Sequence, residues 1–171
     1  GSWGFTLAGE TRAEHISLLF AGDVIAHQGI YEAAYDRAAR AFDFSSVFAQ
    51  VRDYISSFDI AAVCQETVLV RDAAKRSGYP EFATPVTIAD ALVGAGFDVV
   101  ASATNHVNDR GSSAIRETLD YWAQEHPRVG IAGLHDDASD AAAPVFVESG
   151  DFRLAYFNLT YGLNGHSLPE D

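Results

Sequence analysis

Cysteine is nearly absent from this chain: its 171 residues contain one, Cys64. An intrachain disulfide is therefore excluded, and cysteine usage leaves the compartment open. Cys64 lies inside an apolar run, where a lone thiol reads as a small core residue. Positive charge is also scarce, with 11 basic against 24 acidic residues and a formal net charge of -13. Such a chain lacks the positive field that a phosphate backbone requires, which argues against nucleic acid as a partner. No apolar run approaches the roughly 20 residues of a membrane-spanning helix. The leading Gly1-Ser2 looks like the remnant of a cleaved tag, so a native signal or anchor is not judged from this beginning. Internal repeats and low-complexity segments are missing too. Gly94 and Gly96 are not a dinucleotide fingerprint, since they close a helix and do not open one. What is present, 48% hydrophobic residues, suits one globular domain with a real core.

The hydrophobic pattern alternates strands with helices. Residues 1–15 show no sustained period and form a lead-in, with His15 at the surface. Residues 16–21 are an apolar run closed by Gly22, as expected of a parallel strand buried on both faces, and Asp23 follows at its C-terminal end. Residues 24–42, which carry His27, fit a short helix or an ordered loop equally. Phe44, Val47, Phe48, Val51, Ile55 and Phe58 recur at three and four, the spacing of an amphipathic helix, with Asp43 or Ser45 to cap it. A second strand over 59–64 ends in Gln65 and Glu66. Charge, Gly78, Pro80 and Pro85 mark 70–85 as an excursion over the surface. Thr87 with Asp90 resembles a capping box, and Gly96 supplies the left-handed end of a helix burying Ile88, Leu92 and Ala95.

A third strand over 98–103 runs into a polar loop, then a helix over 113–126 with Ile115, Leu119 and Trp122 on one face and Pro127 stopping it. A short strand over 129–132 and a small-residue loop over 133–143 follow. A hairpin of 145–148 and 152–159 turns around Ser149-Gly150-Asp151. The fold class is α/β: a mainly parallel sheet flanked by helices, with a late antiparallel part.

Open α/β sheets place ligand sites in the loops leaving the C-terminal ends of their strands. Three such connections carry polar residues here: Asp23 with His27, then Glu66, then Asn105, His106 and Asp109. Carboxylate, imidazole and amide oxygen together suit a divalent transition metal. Each residue also has a local alternative. Asp23 serves as a cap, Glu66 as a solvated strand end, Asn105 as a left-handed turn, Asp109 as a helix cap, and His106 as a hydrogen-bonded structural histidine. His126, His135 and His166 lie at a helix end or in loops and are taken as surface residues.

The segments LLFAGDVIAHQGIY, AVCQETVL, SGYPEFATP, ALVGAGFDVVASATNHVNDRGSSAIRETLDY and AYFNLTYGLNG, in this order, resemble the bacterial capsule-synthesis family CapA, associated with poly-γ-glutamate. The resemblance spans residues 16–165. It implies the fold of the calcineurin-like metallophosphatases, an αββα sandwich around two divalent cations, manganese, iron or zinc. By the same resemblance Asp23 is the first metal-binding aspartate, Glu66 a bridging acid and Asn105 an amide ligand. His106 faces the reacting phosphoryl oxygens as a general acid, and Asp109 and Gly111 complete the loop.

Two residues depart from the pattern. His27 stands four residues after Asp23, where the phosphatases place a histidine two after, and Cys64 stands where the family usually has asparagine. The family's later histidine motifs would follow the last segment. The resemblance therefore makes residues 16–171 the N-terminal portion of a longer domain, inactive alone and completed by a further segment or a second chain, with self-association as the alternative. It also implies the cell envelope outside the cytoplasmic membrane, with capsule polymer or synthesis-complex proteins as partners. Two non-enzymatic readings stand beside the hydrolase: a scaffold of the synthesis machinery that holds polymer, and an acidic binding domain whose loop residues are all local caps.

Overall fold

The computed structural model describes residues 15–135 and 143–167. Residues 1–14 of the lead-in, most of the small-residue loop and the last four residues lie outside the described residues. The scaffold is a four-stranded parallel sheet in which Leu18–Val24, Ile60–Gln65, Val99–Ala101 and Gly130–Ala132 pair in that order. The first strand, β1 (Leu18–Val24), leads to helix α1 (Gln28–Ala34) and a two-residue hairpin of β2 (Tyr35–Asp36) and β3 (Ala41–Phe42), which resolves the helix-or-loop alternative as both. Next come the one-turn helices α2 (Ser45–Phe48) and α3 (Arg52–Ile55), then β4 (Ile60–Gln65).

The single amphipathic helix expected over 44–58 is therefore two helices. Residues 49–51 form turns, Val47 and Val51 are exposed, and Phe44 and Ile55 are buried. Phe44 holds the N-cap position of α2, and Asp43 just before it accepts from the Ser45 backbone N–H at 2.8 Å.

The segment from 70 to 85 is less superficial than its charge suggests. The strands β5 (Leu69–Val70) and β6 (Thr84–Pro85) pair in parallel and are buried, and Phe82, Ala83 and Thr84 are sealed from solvent. Helix α4 (Thr87–Ala95) buries Ile88, Leu92 and Ala95 as expected; full burial of such an aliphatic side chain contributes about 1.5–3 kcal/mol. Its end is Gly96 at φ +101, where an added Cβ would also meet Ser56 Oγ at 2.7 Å. The capping box is not formed: Val86 is the N-cap, Thr87 is already helical, and the Asp90 carboxylate turns to Tyr121 and His126 instead. His126, expected at the surface, is thus held at 2.7 Å from Asp90 and packs on Trp122.

After β7 (Val99–Ala101) comes α5 (Ser112–Glu125), then β8 (Gly130–Ala132) and the hairpin of β9 (Val145–Ser149) and β10 (Phe152–Tyr156). Sheet residues alternate between two faces. Leu19, Ala21, Ala61, Val63 and Val100 pack with the helices in the main core. Leu18, Ile60, Ala62 and Val99 meet Val147, Leu154 and Tyr156 of the hairpin. The layers are helices, parallel sheet, and antiparallel hairpin, and the strand ends between them carry the polar residues.

Candidate functional site

The register of β1 against β4 decides where Asp23 points. Leu18 to Ala21 pair with Ile60 to Val63, but Asp23 then pairs with Cys64, so Gly22 is a bulge. In an uninterrupted ladder Asp23 would oppose Gln65 and point toward the helices. The shift turns its carboxylate to the hairpin side, with Cys64 and, two residues on, Glu66. Gly22, expected to close the strand, thus lies inside β1, and Asp23 is its penultimate residue. Asp23, Cys64 and Glu66 each bring one donor atom within 4.8 Å of the other two and form a group able to hold a metal ion. Asp23 is exposed and the other two are half-buried. Cys64 was expected in the core; its apolar neighbours are buried, but at the strand end its own thiol faces the carboxylates. Strand alternation sends Cys64 to the hairpin side, and the Gly22 bulge, which no feature of the linear sequence marks, brings Asp23 to it.

Glu66 is braced from both sides. Gln65 Nε2 donates to Thr67 Oγ1 (2.9 Å), and Thr67 Oγ1 meets Thr84 Oγ1 (2.7 Å), which in turn meets the Tyr31 hydroxyl. This buried network involves the residues on either side of Glu66 in the chain, and the Glu66 carboxylate itself accepts from Cys64 Sγ at 3.6 Å. Burial, then the Asp23 charge, raises the Glu66 carboxyl above the usual range. Burial, then Glu66, pushes the metal-free Cys64 thiol up to about 12.

The third connection is tied to the second: Thr104 Oγ1 donates to the Glu66 carbonyl oxygen at 2.7 Å and accepts from the His106 backbone N–H. His106 Nδ1 lies 2.7 Å from Asp109 Oδ2, and Asp109, its side chain fully buried, also accepts from the Phe82 N–H at 2.8 Å. Asp109 therefore orients His106 and does not cap α5, whose N-cap is Gly111. Gly111 has φ +74 and ψ 177, a backbone region nearly confined to glycine, which accounts for that residue in the loop. Asn105 is not left-handed either; among described residues other than glycine, positive φ occurs at Arg40 and Asn164.

Asn164 was not singled out from the sequence, and it comes from 58 residues beyond His106. Its Oδ1 accepts from Asn105 Nδ2 at 2.9 Å, which leaves the Asn105 carbonyl oxygen available as a donor to a cation. Its Nδ2 lies 3.0 Å from His106 Nδ1 and 3.5 Å from Asp109 Oδ1. One ring nitrogen cannot donate to Asp109 and accept from Asn164 together; the shorter contact to a buried carboxylate sets the tautomer, and the amide serves Asp109. His27 stands apart, at the N-cap of α1, exposed and edge-on to Phe82 at 5.1 Å, while His106 meets the same ring at 4.8 Å.

Three surface concavities are lined by residues other than these. The fold is the expected α/β arrangement with a mostly parallel sheet, and polar groups gather at its strand ends. The chain matches the family described as bacterial capsule synthesis protein PGA_cap over residues 17–171, and it belongs to that family. It is a capsule synthesis protein, and its family points to a role at the cell envelope. No curated protein matches it. Among the described residues no helix is long and apolar enough to cross a membrane.

Proposed function

We propose that this capsule synthesis protein binds divalent cations at Asp23, Glu66 and Asn105 and, in its complete form, hydrolyses a phosphoester or related linkage in capsule or poly-γ-glutamate synthesis. The observation that carries the reading is the convergence of two carboxylates from separate strands beside a histidine oriented by a buried aspartate. The donor set of carboxylates with a neighbouring amide suits a divalent cation. Such a cation, when bound, supplies a lowered pKa for water and a charge to offset that developing on the scissile group. The chain's own residues do the rest. Asp109 accepts from His106 Nδ1–H, and in the doubly protonated imidazolium Nε2–H gives its proton to the departing oxygen, leaving the neutral Nδ1–H tautomer. Asn164 fixes the Asn105 amide, and Thr104 links the His106 backbone N–H to the Glu66 carbonyl.

Calorimetric titration of the full-length protein with manganese tests the binding. The proposal expects saturable binding that Asp23→Ala and Asn105→Ala weaken; unchanged binding in both rejects it. For turnover, His106→Ala is expected to lower manganese-dependent phosphoesterase activity by about 10²–10⁴-fold, the usual contribution of a general acid.

A non-catalytic scaffold is the second reading, favoured by His27 standing outside the donor group and leaving three close ligands. Equal polymer production by wild type and His106→Ala would select it. Partners belong to the same proposal: among the described residues β1 is an edge strand, and exposed Phe20 stacks on Tyr156 beside it, a surface suited to a further segment or a second copy. Sedimentation should show association that Phe20→Ser reduces.

A further inference from the structure

Resting on the metal-binding reading above, we infer that Cys64 is itself a ligand, through a thiolate, and that it makes this site prefer a thiophilic cation such as zinc over manganese or magnesium. Three structural facts carry this. The bulge at Gly22 puts Asp23 in register with Cys64, so the two side chains leave adjacent strands toward the same side. Glu66 follows directly on the end of β4, two residues after Cys64, and its carboxylate joins the same group. The donor atoms of all three lie within 4.8 Å of one another.

The spacing fits a small tetrahedral ion. With zinc–sulfur bonds of about 2.3 Å and zinc–oxygen bonds of about 2.1 Å, the sulfur–oxygen edge of a tetrahedron is about 3.6 Å. Cys64 Sγ stands 3.6 Å from Glu66 Oε1, so that edge is already formed, and a modest rotation of the exposed Asp23 side chain closes the remainder. An asparagine at position 64 would offer a hard amide oxygen, whereas a thiolate is a soft donor that oxygen-preferring cations bind poorly. On binding, the thiol proton leaves to solvent as the sulfur–metal bond forms, and no electron changes hands.

Cobalt(II) is a spectroscopic probe of the same geometry. Cys64 is the chain's only sulfur atom, since it has one cysteine and no methionine. Cobalt(II) is titrated into the full chain, with binding followed by calorimetry and absorbance in parallel, and the titration is repeated with Cys64→Ser after circular dichroism has verified its fold. The expected result is a sulfur-to-cobalt charge-transfer band in the wild type that is missing from the variant, which still binds cobalt through oxygen. In competition, the variant's zinc-over-manganese preference should fall by about 10–100-fold, the scale on which metal sites respond to loss of a supporting group. Calorimetric binding without the band overturns thiolate ligation and leaves the carboxylate site standing. No binding by either protein overturns both.

Discussion

Each carboxylate at the strand ends is held differently, and the difference predicts how it responds to pH and substitution. Glu66, raised by burial and by Asp23, holds its proton in the folded state at a pH where the unfolded chain has lost it. Stability of the metal-free protein therefore falls as pH rises from the ordinary carboxylate range through the raised one, and the loss is complete above it. Glu66→Gln should raise the metal-free melting temperature at neutral pH, flatten that dependence and abolish stabilisation by added cation; differential scanning calorimetry across pH checks all three. Asp109→Asn should leave the chain folded but remove the charge that orients His106, and it should lower any His106-dependent activity without changing cation affinity.

These charged residues were legible in the sequence because buried strands rarely end in carboxylates by chance of packing. Cys64 and Asn164 were not. The meeting of Asp23 with the first depends on a register shift in β1, and the second is hidden by its distance along the chain.

At the level of elements, the helices and loops around the site are held by backbone constraints that substitutions can probe. Gly111→Ala places a side chain at φ +74 with open space around it, so its penalty is backbone strain alone, about 1–3 kcal/mol. The melting temperature should drop by about 2–4 °C per kcal/mol. Thr118, buried in α5, accepts from the Leu69 N–H at 2.8 Å and donates to the Ala114 carbonyl. Thr118→Val leaves the Leu69 N–H buried and unpaired, which costs about 1–3 kcal/mol and should loosen β5, measured as faster hydrogen exchange there. Strands β4 and β7 and helices α4 and α5 follow from apolar runs and from spacing at three and four. The pair α2 and α3 does not, because periodicity marks the buried face and says nothing of the turn at 49–51. The packing of residues 82–84 was masked by the charge before them, since composition averages over a segment that surfaces and then returns.

Over the whole molecule, a net charge of -13 makes folding work against self-repulsion. Raising monovalent salt from about 0.01 to 0.15 M, which shortens the screening length from about 30 to 8 Å, should stabilise the protein without added cation. The layered arrangement brings donors from β1 and β4 to one end of the sheet, between the helices and the hairpin, and the account depends on that meeting point. Anomalous diffraction from crystals soaked in a divalent cation tests it most directly. A peak within coordination distance of Asp23 and Glu66 together is predicted; a saturated crystal with its peak elsewhere, or with none, would contradict it.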